Sequence, residues 1–467
     1  MRRTAALLSI TTIVCASGCA VAPPPPAEDV RRQALADIAL DGTWRADASV
    51  STQPVLDDWI STFHDPALDA LVREAIAHNP DLRVAAARVE QAGQYLVIAH
   101  SALKPSLGIF GTGGAKSGGG GDTSSALQGA LLAASWELDL WGRLRYARNA
   151  AREDLAAARA ELEFARQSIA ASTAKAWFSA TQLSLDATVA ADMVASAREL
   201  TSLAEQRARV GAGTDADVAI ARASEQQSED SLQQILLARG QALRALELLI
   251  GRYPAAEIAA RAELLDRPGP VSAGLPLQML ERRPDVIAAE RRVAAAFNRV
   301  GEAKAARLPQ LSLNASFGAF ASDILELKED FENPTSGIGA RLLAPIYQGG
   351  RLTAQVEIRT LQQKEAIADY ARVALRAIGE VEYALAAGST LAARTDLLSN
   401  ALQEQTLALE LTRTNLRIGR VDRRALEQQR MAVSNARMAL NSVRTDELAG
   451  RVNLYLALGG SLEPASE

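Results

Sequence analysis

Few residues of this 467-residue chain could do chemistry: three histidines, two cysteines, five methionines and scattered carboxylates. His64, His78 and His100 lie in or beside one helical stretch, with no cysteine or paired carboxylates to complete a metal site or activate a nucleophile. The methionines are scattered and include Met1, so no soft-metal track exists. Gly118 to Gly121 lack the following Lys-Ser/Thr and helix of a phosphate cradle and read as a hairpin loop. The expectation is a protein that is not an enzyme and needs no cofactor or metal. One reactive atom remains, the thiol of Cys19.

Arg2 and Arg3 precede an apolar run, Ala5 to Val14, that is too short to span a bilayer. Ala16, Ser17 and Gly18 then lead into Cys19. This resembles the lipobox at which signal peptidase II cleaves and a diacylglyceryl group joins the cysteine thiol, with Ala16 where Leu is commoner. Ala20, rather than Asp, follows the cysteine, which by the lipoprotein rule implies the outer membrane. The alternative is an ordinary secretory signal with a spare cysteine. Cys15 and Cys19 are the only cysteines, so the remaining chain has no thiol pair for a disulfide. Without Arg2 and Arg3 the formal charge moves from -5 to -7, which makes nucleic acid an unsuitable partner. Pro23 to Pro26 suit a stiff spacer leading away from a membrane surface.

The elements beyond the spacer come in two copies. Asn79-Pro80-Asp81-Leu82 recurs as Arg283-Pro284-Asp285-Val286, and Lys104-Pro105-Ser106-Leu107 as Leu308-Pro309-Gln310-Leu311, each pair 204 residues apart. Gly142-Arg143 recurs as Gly350-Arg351, Val210-Gly211 as Ile418-Gly419, and Leu249-Ile250-Gly251 as Ala457-Leu458-Gly459, each pair 208 apart. Such constant offsets mark one large duplicated unit, with a four-residue difference between the proline and the Gly-Arg landmarks.

Each unit opens with a helix, predicted in the first copy from the Asp65-Pro66 cap to Ala102 and stopped by Pro105. Strands are predicted over Ser106 to Thr112 and Gln128 to Leu140. In the second copy Leu311 to Ala319 and Ile338 to Ile346 alternate in the same way, giving two hairpins with one apolar face. From Gly142 the pattern becomes helical. Leu155, Leu162, Ile169, Ala176, Leu183, Ala190, Ala197 and Ala204 recur every seven residues as a coiled-coil seam. The span from Gly142 to Gly211 is 69 residues, or roughly 100 Å of helix. Gly211 can end it in a left-handed conformation, and Thr214 with Asp217 can cap its return partner; Gly419 and Asp422 repeat the turn. An apolar share of 48% with only 4% aromatics suits such thin, Ala-rich packing.

After Cys19 no run of eighteen apolar residues exists, so only a closed barrel could cross a membrane. Four strands cannot close one, since transmembrane barrels need at least about eight. Several chains would have to pool their strands; otherwise the strands form a small soluble sheet in a periplasmic coiled-coil lipoprotein without a pore.

Asp58-Trp59, Phe63-His64-Asp65-Pro66-Ala67-Leu68, Asn79-Pro80-Asp81-Leu82, Trp136-Glu137-Leu138-Asp139-Leu140-Trp141-Gly142-Arg143 and Leu280-Glu281-Arg282-Arg283-Pro284-Asp285 resemble the outer membrane efflux proteins. The chain is most similar to their TolC-like, NodT/OprM-type lipoprotein branch. The resemblance spans nearly the whole mature chain. It implies a mainly α fold with a small β part, assembled as a homotrimer with a twelve-stranded barrel in outer-membrane lipid and a helical periplasmic tunnel. It also implies cargo from an inner-membrane pump, usually of the resistance-nodulation-division (RND) class, passed on by a periplasmic adaptor. The fold equally serves type I protein secretion, and the sequence does not choose the cargo.

By the same resemblance Arg209, Val210, Gly211, Ala212, Gly213 and Thr214, with Arg417, Ile418, Gly419 and Arg420, form the tunnel mouth and the adaptor surface. The plain alternative is that these residues only end helices. Family members often ring this entrance with cation-binding acids. Here Asp217 keeps one and can equally be a capping residue, while Ala425 and Gln428 stand at the second-copy positions. Trp136, Trp141, Phe317 and Phe320 suit an interfacial girdle or core packing. The landmarks divide the chain into a signal peptide (1–18), an anchor, spacer and N-terminal segment (19–64), a first repeat (65–251), a linker (252–275), a second repeat (276–459) and a tail (460–467). Substitution C19S should abolish lipidation: mass spectrometry of the purified protein should lose the acylglyceryl mass, and its retention would exclude Cys19 as the modified residue.

Overall fold

The computed structural model describes residues 22–36, 42–47, 50–53, 55, 57–113, 128–267, 269–321 and 335–462. Cys19 and Gly118 to Gly121 lie outside these residues. In chain order the elements are α1 (Ala27–Ala34), a 3-10 turn (Trp59–Phe63), α2 (Pro66–His78), α3 (Pro80–Ser101), β1 (Ser106–Thr112) and β2 (Gln128–Leu138). The long helices α4 (Arg143–Arg209) and α5 (Asp215–Leu249) complete the first repeat. Then come α6 (Pro276–Arg282), α7 (Pro284–Ala305), β3 (Gln310–Ala321), β4 (Thr335–Leu343), α8 (Arg351–Arg417) and α9 (Arg423–Ala457). Helix lengths repeat between the copies: 22 residues in α3 and α7, 67 in α4 and α8, and 35 in α5 and α9. The strands do not match, at 7 and 11 residues against 12 and 9.

The expected helix from Asp65 to Ala102 is two helices. Asn79 is extended (φ -61, ψ 127) because Pro80 has no N–H to donate and crowds the residue before it out of the helical region. Asn79 turns this break into a junction: its Oδ1 accepts from the Asp81 and Leu82 amides at 2.8 and 3.3 Å, and its Nδ2 donates to the Leu249 carbonyl at 2.9 Å. Arg283 does the same work in the second copy. It is extended before Pro284 (φ -69, ψ 120), and its Nη1 donates to the Ala457 carbonyl at 3.1 Å, the counterpart of Leu249.

Only 1% of Arg283 is exposed, and it is paired with Asp285 at 2.9 Å and Glu380 at 2.7 Å; Arg376 adds a second donor to Asp285. Burial opposes ionisation of Asp285, but the two guanidiniums hold its carboxyl below the usual range. The repeated glycines belong to the same junction. Gly251 has φ +76, and a Cβ there would lie 2.8 Å from the His78 carbonyl oxygen; Gly459 has φ +69 and abuts Arg282 and Arg283. The end of each return helix thus approaches the helix break closely, leaving no room for a Cβ at Gly251 and only a tight fit, in a left-handed conformation, at Gly459.

Contacts divide the chain into two compact units, each drawing on both repeats. One comprises residues 39–86, 161–286 and 374–467. Its core stacks Trp59 on Tyr455 at 5.6 Å and sets Phe63 against Phe178 at 5.3 Å, while the buried Asp65 carboxylate accepts from Trp177 Nε1 and pairs with Arg261. Trp44, 1% exposed, fixes the N-terminal segment by donating to the Ala273 and Gly274 carbonyls. The α4 seam within this unit is buried or half-buried throughout, as its heptad spacing requires.

The other unit comprises residues 1–38, 87–160 and 287–373 and contains the sheet. The two expected hairpins form one antiparallel sheet in the order β1-β2-β3-β4, because β2 pairs with β3 along its whole length, from Gln128↔Ala321 to Leu138↔Leu311. The strand expected to reach Leu140 stops at Leu138, where Asp139 turns to cap α4 by accepting from the Leu144 and Arg145 amides. The strand expected to reach Ile346 stops at Leu343, ahead of Pro345, which has no N–H for the ladder.

The register sorts side chains by face. Leu107, Ile109, Leu132, Trp136, Phe317, Ile338 and Leu342 share one face and are all exposed, from 37% for Trp136 to 92% for Ile338. The opposite face carries Ser106, Gly108, Ser135, Ser312, Asn314, Ser316, Gly337, Gly339 and Arg341, together with two exposed apolar residues, Phe110 and Leu343. Among the described residues β1 and β4 each have one unpaired edge.

Substitution R283A should cost about 3–5 kcal/mol by stranding a buried carboxylate. The double variant R283A/D285A should recover part of that loss in denaturant unfolding, and equal losses for both would exclude the ion pair as the cause.

Candidate functional site

Both helical hairpins turn in the same way. At Gly211 (φ +74) the Ala212 amide reaches back to the Arg207 carbonyl at 2.8 Å, and at Gly419 (φ +75) the Arg420 amide reaches the Asn415 carbonyl at 2.8 Å. A left-handed residue followed by this long closure satisfies carbonyls that the helix end leaves open. The next helices are then capped. Thr214 accepts from the Asp217 amide at 3.2 Å, and Asp217 accepts from the Thr214 amide at 2.9 Å, a reciprocal capping box. Asp422 caps α9 by accepting from the Ala425 amide at 3.0 Å.

The structure brings these two turns together within one unit. Arg207, at the end of α4, pairs with Asp422 of the second turn at 3.8 Å, and Arg423 pairs with Glu199 of α4 at 3.1 Å. Between them opens a cavity of about 320 Å³, with Leu200, Leu203 and Ile220 among its apolar lining and Arg207, Asp217 and Arg424 among its polar lining. Arg209, Val210, Gly211, Ala212 and Thr214 are exposed, as are Arg417, Ile418, Gly419 and Arg420, while Gly213 is half-buried against Arg207. The sequence reading singled out the tips but missed Arg207, Arg423 and Arg424. For Arg423 and Arg424 the available signal was the density of arginine from Arg413 to Arg430.

Asp217 is ionised below the usual carboxylate range, first because the Thr214 amide and then its hydroxyl donate to it, with Arg207 and Arg424 adding positive charge nearby. In this chain its carboxylate serves as a cap. Trp136 and Trp141 are partly exposed, and their indole N–H groups donate to the Leu103 and Pro309 carbonyls at 3.0 and 2.8 Å, tying strand ends to the preceding turns. Phe317 is exposed on the apolar sheet face, and the side chain of Phe320 lies outside the described residues. Among the described residues no cluster of His, Cys, Asp and Glu could hold a metal, and no helix is long and apolar enough to cross a membrane.

A family model described as outer membrane efflux protein matches residues 71–252 and again 275–460. The chain belongs to the outer membrane efflux protein family. It is 29% identical to the pyoverdine export outer membrane protein OpmQ of Pseudomonas putida, over 98% of this chain and 97% of that protein. With OpmQ of Pseudomonas aeruginosa it shares 30% identity over 89% of each chain. Among solved structures it is similar to the Campylobacter jejuni CmeC outer membrane channel, with a TM-score of 0.79 and 25% identity over 89% of this chain and 90% of that one. The family member described here is an outer-membrane component of efflux machinery, a transport protein with a TolC-like channel fold.

The capping box makes a pH prediction. A carboxylate with a depressed folded pKa adds stability that is complete above the ordinary carboxylate range and is lost as pH falls through the lower folded value. Hydrogen exchange should therefore find the first turn of α5 protected at about pH 4, where an unperturbed Asp is half protonated. T214A should move the loss of protection up into that ordinary range.

Proposed function

We propose that this chain is one third of a homotrimeric outer-membrane channel that conducts cargo passively, supplied by an RND-type inner-membrane pump through a periplasmic adaptor. The observation that carries this reading is the four-stranded sheet, which exposes seven large apolar side chains on one face against two, Phe110 and Leu343, on the other, and whose two edges are unpaired among the described residues. An exposed apolar face of this kind requires lipid or protein cover. Unpaired edges require strands to pair with, and copies of the same chain supply them. Three copies give twelve strands and a closed barrel with its apolar face toward lipid and its Ser, Asn and Gly face toward the lumen. The same exposed face disfavours a periplasmic lipoprotein without a pore.

In this reading Cys19 carries the lipid that tethers each chain to the outer membrane. The two repeats, at 65–251 and 276–459, give each protomer two hairpins, so three protomers line the tunnel with six. The exposed tips from Arg209 to Thr214 and from Arg417 to Arg420 dock the adaptor. Exposed loops on a rigid helical scaffold are suited to such a role, since the scaffold fixes their position while leaving them accessible. No nucleotide-binding motif accompanies them, so the direction of transport comes from the pump.

Membrane fractionation and heat-modifiable gel mobility test the assembly: a heat-sensitive trimer in the outer membrane supports it, and a monomer released by lipid cleavage alone sinks it. For docking, R420E should abolish export from cells while leaving the trimer intact, and unchanged export would count against the tips as the adaptor surface.

A further inference from the structure

The two tips differ in charge. From Glu205 to Arg222 three arginines meet three acids, whereas from Arg413 to Arg430 six arginines meet two acids, Asp422 and Glu427. Arg413 pairs with Glu410 at 2.6 Å and Arg423 with Glu199 at 3.1 Å, so the excess rests on Arg417, Arg420 and Arg424, and neither Asp422 nor Glu427 is free to oppose it. Asp422 caps α9 and is flanked by Arg207 and Arg424, each at 3.8 Å, and Glu427 is 2% exposed and paired with Arg430 at 3.1 Å. On the first tip Asp217 is taken by its capping box, again with Arg207 and Arg424 nearby. Arg209, Arg417, Arg420, Arg423 and Arg424 are all exposed.

The position of these charges runs against helix stability. The first turn of a helix favours acids, because its unpaired N–H groups and macrodipole are positive there. α5 follows this preference with Asp215 and Asp217, but α9 begins with Arg423 and Arg424 and has no acid in its first turn. Cations placed where the backbone is already positive reinforce one another's potential. Arg424 and Arg207 border the cavity lined by Leu200, Leu203 and Ile220, so positive charge and apolar surface face the same space.

We propose that the inner mouth of this channel is an anion-binding ring, and that the cargo it admits is a small organic anion with an apolar part. The inference rests on the trimeric channel reading, in which three copies of each tip encircle the mouth. Clustered guanidiniums concentrate anions at such an opening and repel cations, and their planar donors match carboxylate and phosphate oxygens.

Purified trimer in planar bilayers provides the test, with inorganic tripolyphosphate or hexaamminecobalt(III) added on the side of the hairpin tips. Tripolyphosphate should reduce the current, hexaamminecobalt should not at the same concentration, and R420Q/R424Q should raise the concentration needed for half-block at least tenfold. Block by the cation, no block by the anion, or a block insensitive to the double variant would overturn the proposal. No adaptor is present in this measurement. If the double variant keeps its anion block yet loses binding of an acidic partner hairpin, the arginines serve docking and the proposal also falls. Absence of any trimer or current would instead sink the channel reading, and this inference with it.

Discussion

Matched helix lengths, ended by backbone geometry that few side chains tolerate, are the constraint on which the hairpin tips depend. A return helix of 35 residues can meet the right partner only if the turn and the far junction are both fixed, and in each repeat a left-handed glycine fixes both. At the junction the approach is so close that Gly251 faces the His78 carbonyl without room for a Cβ. Asn79 and Arg283 then use quite different side chains to hold the same carbonyl, that of Leu249 or Ala457. The duplication has preserved a hydrogen-bond requirement rather than a residue. Arg283 meets it at greater risk, since its buried charge depends on Asp285 and Glu380 for compensation.

The sheet obeys the opposite logic. Its strands differ in length between the repeats, and among the described residues both its edges and its apolar face lack partners. In a monomer in water this would be an aggregation hazard. In the proposed channel the same features become the means of assembly, with lipid covering the apolar face and copies of the chain pairing the edges. Tight matching where helices return on themselves, and open valences where chains must join, divide stability and assembly between different elements.

Much of this was legible in the sequence because its signals are local and periodic. Heptads of Leu and Ala identify α4, alternation identifies β3, and Gly followed by Thr-x-x-Asp identifies the first turn, each read from residues close in sequence. Local signals also misled where two of them competed. The apolar spacing continues through Asn79-Pro80, so periodicity predicted one helix where proline sterics produce two. Alternation likewise runs on to Ile346, but Pro345 has no N–H for a ladder and the strand stops at Leu343.

By itself the sequence determined the duplication, the long hairpins, the glycine turns and their caps, because each depends on backbone preferences within a few residues. Only the tertiary structure decided that β2 joins β3, that Arg207 reaches Asp422, and that Arg424 borders the same cavity as Asp217. These partners are about 170 to 220 residues apart along the chain. No local propensity encodes such pairings, which arise only when two repeats fold against each other and bring charges of separate helices within a few ångströms.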